Sequence, residues 1–238
     1  MKLYFYLRRA ERIFSSNNGI CRKVFRKDGE FEERIYIKKG DQMRKLKLQV
    51  QISIDGYISG SNGEMDWMVW NWDEALKQYV IGITETVDCI LLGRKLAQGF
   101  IPHWDEAAKK TDDPEAPFAQ KMSETPKIVF SKTIQHSGWN NTAIASGNLV
   151  DEITSLKNQP GNDIIVYGGG TFVSSLIKNN LIDEYHLFVN PSILGSGMTI
   201  FGGSEQRLNL TLSTARSFDC GIAVLSYQRT KSPKTEQS

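Results

Sequence analysis

The chain has 238 residues, 40% of them hydrophobic, a formal net charge of +2, and only three cysteines and three histidines. That composition supports one large or two small domains around a substantial core and excludes a polar, highly charged disordered chain. Cys21, Cys89 and Cys220 lie far apart with no C-x-x-C pair, and His103, His136 and His186 are isolated, so neither a disulfide framework nor a metal site is expected.

Residues 1–42 carry eleven Lys/Arg against six Asp/Glu, leaving a mildly acidic remainder. The basic residues are scattered among acids rather than packed in a run, so no nucleic-acid partner is expected. Met1 to Ile13 is too charged for a secretory leader, and no apolar stretch approaches the roughly 20 residues needed to span a bilayer, which points to a cytoplasmic protein without a membrane partner. Lacking sustained periodicity, this head reads as a basic extension, disordered or a mis-called start, although Phe31 to Ile37 has strand character. Met43-Arg44-Lys45 then opens a strongly patterned domain over residues 43–231, with a flexible tail at 232–238.

Leu46, Leu48, Val50, Ile52 and Ile54 alternate with Lys47, Gln49, Gln51 and Ser53, the period-2 pattern of a strand with one apolar face. Asp55-Gly56-Tyr57 and Ser61-Asn62-Gly63 supply turn chemistry before Trp67. Trp72, Ala75, Leu76, Tyr79, Val80 and Ile83 fall on one stripe of a helix. Val87 to Leu92 reads as a buried strand ending at Gly93-Arg94, where a short helix begins. After a polar region with prolines near Thr111 to Pro117 come strands at Lys127 to Phe130 and Thr142 to Ala145, a helix over Gly147 to Lys157, a strand at Asp163 to Tyr167, a helix over Thr171 to Lys178 and a strand at Glu184 to Asn190. Alternation at this spacing implies a mostly parallel sheet covered on both faces. Leu208 to Arg216 and Ile222 to Gln228, flanking Phe218-Asp219-Cys220-Gly221, read as a closing antiparallel hairpin.

Three of the loops after strands offer groups suited to phosphate. In Tyr167-Gly168-Gly169-Gly170-Thr171 a strand runs into three glycines and then a helix, which lets backbone N–H groups approach an anion beside a helix N-terminus. Val173 stands where the third glycine of the dinucleotide fingerprint G-x-G-x-x-G would be, so an ordinary Rossmann reading is weakened. Gly93-Arg94 joins a permissive backbone to a guanidinium, and Ser131-Lys132-Thr133 joins two hydroxyls to an ammonium. Singly, the triplet reads equally well as a tight turn and Arg94 and Lys132 as solvated charges. Together, at the sheet edge where open α/β folds bind ligands, they favour a nucleotide phosphate site.

With these pieces in order, residues 43–229 resemble the dihydrofolate reductase-like superfamily, and within it the bacterial reductases related to the C-terminal reductase domain of riboflavin biosynthesis. The matching segments are Ser53-Ile54-Asp55-Gly56-Tyr57-Ile58, Leu91-Leu92-Gly93-Arg94, Phe130-Ser131-Lys132-Thr133, Tyr167-Gly168-Gly169-Gly170 and Leu181-Ile182-Asp183-Glu184, running to Asn190-Pro191 and Leu194-Gly195-Ser196-Gly197. The resemblance implies a three-layer α/β/α fold that binds NADPH. It gives Gly93 and Arg94 to cofactor phosphate, Ser131, Lys132 and Thr133 to the adenosine 2′-phosphate, Gly168, Gly169, Gly170 and Thr171 to the pyrophosphate, and Asp55 to Ile58 to the mobile loop beside the nicotinamide. Two departures stand out. Leu96 replaces the hydroxyl of the usual Gly-Arg-x-Thr pattern, and counting back sixteen positions from Gly93 to the place of the pterin-binding acid reaches Lys77. A Lys there repels a protonated pterin, which argues against folate reduction. Asp73 and Glu74 lie one turn away, where a small shift of alignment recruits one of them, and Asp73 is the candidate acid.

Trp67, Trp70 and Trp72 are candidates for a stacking wall against a planar heterocycle or for plain core packing. Asn190 is a candidate for reading substrate polarity or for bonding the next turn. The leading expectation is an NADPH-dependent reductase of a small pterin-, pyrimidine- or nucleotide-like heterocycle, with a homodimer as one open assembly. A nucleotide-binding module that kept the phosphate loops without catalysis is the alternative.

Overall fold

The computed structural model describes residues 10–15, 20–27, 30–37, 43–203 and 207–230. The 232–238 tail lies outside the described residues. The chain divides into two compact units, one ending at Met43 and the other beginning at Arg44. The first contains an antiparallel meander of β1 (Ala10–Ser15), β2 (Ile20–Lys27) and β3 (Glu30–Ile37). Of these strands the sequence pattern signalled only the last.

The second unit is built on an eight-stranded sheet. Its strands are β4 (Leu46–Ile52), β6 (Val87–Gly93), β7 (Lys127–Phe130), β8 (Thr142–Ala145), β9 (Asp163–Tyr167), β10 (Glu184–Val189), β12 (Leu210–Ser217) and β13 (Ala223–Arg229), in the order β12-β13-β10-β4-β9-β6-β7-β8. Every pairing from β10 to β8 is parallel, while β13 runs antiparallel to both β10 and β12. The fold is therefore the expected α/β architecture, a mostly parallel sheet closed by an antiparallel hairpin. A small second sheet pairs β5 (Tyr57–Ser59) with β11 (Met198–Thr199).

Helices cover both faces. On one side α4 (Leu149–Asn158) and α5 (Gly170–Lys178) contribute Ile153, Val173 and Leu176 to a core with Leu46, Leu48, Leu91 and Val166. On the other, α2 (Arg94–Ala107) and α3 (Ala116–Glu124) pack Ile101 and Met122 on Ile90, Leu92 and Ile165, while α1 (Glu74–Thr84) packs Leu76 and Val80 on Phe188 and Val224. The stripe read for α1 holds except at Ala75, which is exposed, and Trp72 stands just before the helix, stacked on Phe188. One expectation needs correction: the helix at Arg94 is not short but the longest described, with 14 residues. α3 follows the polar region near Thr111 to Pro117, in a stretch to which the sequence pattern assigned no element.

The pattern of β4 also misled. Its Lys47-x-Gln49-x-Gln51 side looks solvent-facing, yet Lys47 and Gln49 are buried, because β4 sits centrally between β10 and β9 with helices on both faces. Lys47 is made tolerable by Asp163 at 3.0 Å, Thr86 Oγ1 at 3.0 Å and the Ile83 carbonyl at 3.1 Å. Similar pairs line the amino edge of the sheet: Arg44 with Asp88, Lys157 with Asp183, and Lys45 with Glu184.

Candidate functional site

The opposite, carboxyl edge is organised by two helices that start without caps. N-cap residues normally supply a side-chain acceptor for the first free N–H groups. Asp73 does so for α1, accepting from Leu76 N–H at 2.8 Å, and Asn148 does so for α4, whose first turn also carries Asp151 and Glu152. The N-caps of α2 and α5 are Gly93 and Gly169, with no side-chain cap and no acid in the first turn. Their free N–H groups and positive dipole ends are left for an outside anion.

These two termini lie side by side because β6 and β9 are neighbours. A Cβ on Gly93 would stand 3.0 Å from Phe172 Cβ in the first turn of α5, and one on Gly169 would stand 4.0 Å from Leu96 in the first turn of α2. Phe172 in turn stacks on Phe130 at the end of β7, with ring centroids 4.8 Å apart. Gly169 has φ of 89°, a conformation that favours glycine. Gly168 faces open space, whereas Gly170 lies against the Met198 and Ile58 side chains. The Ile58 loop is thereby brought to the start of α5.

Next along the edge, Ser131 Oγ accepts from the N–H groups of Thr133 (3.1 Å) and Ile134 (2.9 Å), folding the loop after β7 into a tight turn. Thr133 Oγ1 lies 3.4 Å from the same oxygen. Lys132 Nζ donates to the carbonyls of Ser146 (2.5 Å) and Gly147 (3.2 Å), tying the ends of β7 and β8 together. Among the described residues neither Lys132 nor the half-buried Arg94 is paired with a carboxylate. The contrast with the neutralised amino edge is clear: cationic side chains and open helix ends share one rim.

Asp55 acts as an anchor in this arrangement. Its carboxylate accepts from Ser53 Oγ at 2.6 Å, from Gly195 N–H at 2.7 Å and from Leu194 N–H at 3.2 Å. The Ser53 hydrogen bond and these amides hold its pKa below the usual carboxylate value. The 53–58 turn is thus fastened to the loop after Pro191. Asp73 is likewise engaged, accepting from Cys220 N–H at 2.9 Å as well as Leu76, and the Cys220 bond leads in holding its pKa down.

The candidates for substrate contact are each engaged by neighbouring residues or placed by the core. Lys77 pairs with Glu115 at 2.6 Å, which raises its pKa. Trp67 donates to the Glu64 carbonyl at 3.1 Å, Trp70 is 63% exposed and Trp72 packs against the core. Asn190 is fully buried. Its Oδ1 accepts from Val69 N–H at 2.8 Å, and its Nδ2 donates to Gln51 Oε1 at 2.9 Å and the Phe188 carbonyl at 3.2 Å. Its amide therefore fixes the 67–72 segment against β4 and β10. Sequence reasoning overlooked Gln51 and the Ser146 and Gly147 carbonyls; the one available signal, glutamines recurring along a strand, read as a solvated face.

With this geometry in view, the comparisons with known proteins agree among themselves. Residues 44–224 match the family model described as the RibD C-terminal domain. The chain is 31% identical over 188 residues to the uncharacterised protein YyaP of Bacillus subtilis (strain 168), covering 78% of this chain and 95% of that one. Among solved structures it resembles a diaminohydroxyphosphoribosylaminopyrimidine deaminase/5-amino-6-(5-phosphoribosylamino)uracil reductase from Thermotoga maritima, with a TM-score of 0.57 and 15% identity over 82% of this chain and 58% of that one. It also resembles the riboflavin biosynthesis reductase Rib7 of Saccharomyces cerevisiae, with a TM-score of 0.52 and 16% identity over 81% and 92% of the two chains. At these identities the structural likenesses establish the fold.

Proposed function

The chain belongs to the RibD C-terminal domain family, and from that premise we propose that it is an NADPH-dependent reductase of a small, pyrimidine-like heterocycle. The carrying observation is the pair of adjacent, uncapped helix N-termini at Gly93 and Gly169, on a rim where Arg94 and Lys132 have no carboxylate partner among the described residues. In this reading Gly168 to Thr171 hold the pyrophosphate, Arg94 a cofactor phosphate, and Ser131, Lys132 and Thr133 the 2′-phosphate. Ile58, fixed by the Asp55 anchor, borders the nicotinamide. NADPH supplies the hydride, and the chain binds and orients the two reactants. Asp55 and Asp73 are held as anions with both oxygens engaged, so they position loops rather than deliver a proton.

Titration of the purified protein with NADPH, followed by oxidation assays against pyrimidines, pterins and flavins, tests the proposal. No NADPH binding sinks it. A non-catalytic nucleotide-binding module is the second reading, favoured by those same engaged carboxylates, and binding without oxidation of NADPH by any heterocycle would select it.

A further inference from the structure

Of the three glycines before α5, the last is not demanded by its backbone. Gly169 carries the positive φ, whereas Gly170 is buried without one, and what it provides is room. The Met198 side chain fills the place that a Cβ on Gly170 would take, with Sδ in contact and Cγ 2.9 Å from it, and Ile58 Cδ1 lies 3.5 Å from the same point. The small sheet holds the thioether there. Met198 pairs with Ser59 of β5, and the next residue, Thr199, donates from Oγ1 to the Gly56 carbonyl at 3.2 Å. Even so, Met198 is 45% exposed, so a small oxidant in solvent has access to it.

The sulfur stands beside donors that the helix cannot satisfy. The first hydrogen bond inside α5 runs from Val173 N–H to the Gly169 carbonyl at 3.0 Å. The N–H groups of Gly170, Thr171 and Phe172 therefore have no acceptor within the helix, and Gly169 brings no side-chain cap. A thioether is only a weak acceptor and leaves them available. Oxidation changes that, because a sulfoxide carries a polar oxygen one bond from the sulfur, and an oxygen facing the second and third amides of a helix is what an N-cap side chain supplies.

We propose that Met198 is an oxidative modification site, at which a peroxide forms the sulfoxide and the new oxygen caps Thr171 and Phe172, closing the start of α5 to the cofactor pyrophosphate. The thioether sulfur attacks one peroxide oxygen, the O–O bond breaks, an S–O bond forms and, with hydrogen peroxide, water leaves. Sulfur is oxidised and peroxide reduced by two electrons. Methionine sulfoxide reductase reverses the step, returning the oxygen as water. The loss of cofactor binding rests on the reductase reading; the capping does not.

The test treats the full chain with hydrogen peroxide and locates sulfoxides by peptide mass spectrometry, since Met43 and Met65 are exposed as well. Met198→Leu keeps those methionines and removes the thioether at β11. In the oxidised parent, hydrogen exchange at Thr171 and Phe172 N–H, read by NMR, is expected to slow at least tenfold. NADPH is expected to bind at least tenfold more weakly, and methionine sulfoxide reductase to restore both values. Peroxide-treated Met198→Leu should match its own untreated state in both. A Met198 that resists peroxide while Met43 and Met65 are oxidised, exchange that does not slow, or equal effects in treated Met198→Leu overturns the proposal. Failure of the untreated parent to bind NADPH sinks the reductase reading instead, and the exchange rates alone then decide whether the sulfoxide caps α5.

Discussion

At the residue scale, the charged and amide groups divide into those consumed by the fold and those left over. Lys132 belongs to the second kind, since its partners among the described residues are two carbonyls that water can replace. A 2′-phosphate beside it gains charge-assisted bonds that a 2′-hydroxyl cannot, each worth about 1.5–3 kcal/mol. NADPH is expected to bind at least tenfold more tightly than NADH, and Lys132→Ala to erase the difference in a fluorescence titration; equal affinities in the parent would refute the assignment. Asp55 belongs to the first kind. Its pKa is depressed, so its anchoring is complete above the ordinary carboxylate range near pH 4 and is lost as pH falls through the depressed value. Asp55→Asn keeps one acceptor of the two, and we expect NADPH affinity at neutral pH to fall severalfold with little change in melting temperature; an unchanged affinity would separate this loop from the cofactor. Asn190, by contrast, is structural in every contact, so Asn190→Ala should cost roughly 1–3 kcal/mol in a urea melt through orphaned Val69 and Gln51 groups.

At the element scale, most of the framework was legible in the sequence and the failures share a cause. β6, β7, β9 and α1 announce themselves because a run of Ile, Leu and Val or a stripe at helical spacing depends on local pattern alone. β4 was placed correctly but misread in its burial, because whether Lys47 and Gln49 meet water depends on strand order, a long-range fact. α3 was missed because Pro114 and Pro117 break the pattern at its start, although proline is well tolerated in a helix's first turn. The short β5 and β11 are too brief to carry a period. Glycine at the start of α5 was legible as punctuation, and the structure refines its meaning: Gly169 is demanded by its φ of 89°, while Gly168 has nothing within 4 Å of a would-be Cβ. Gly168→Val is therefore the cleaner probe. It should leave the melting temperature within a degree or two and still weaken NADPH binding at least tenfold by blocking the approach of the pyrophosphate. Normal binding in that folded variant would reduce the triplet to a tight turn.

At the scale of the whole molecule, charge is partitioned along the sheet as well as along the chain. The amino ends of the strands carry paired ions, Arg44 with Asp88, Lys47 with Asp163 and Lys157 with Asp183, which hold the barren edge together. The carboxyl ends carry open helix termini and cations that have no carboxylate partner among the described residues, an arrangement that favours an anion at that edge. None of the residues assigned to either edge precedes Arg44. Residues up to Met43 form a separate compact unit, with β1, β2 and β3 hydrogen-bonded among themselves in a sheet of their own. All eight strands of the large sheet and the described members of the three clusters of buried apolar residues come from the second unit. A chain beginning at Met43 should therefore fold with the melting temperature of the parent within a few degrees and bind NADPH with the same affinity, as read by circular dichroism and fluorescence titration. A truncated chain that fails to fold, or melts many degrees lower, would make the meander part of the stability of the reductase domain rather than an addition to it.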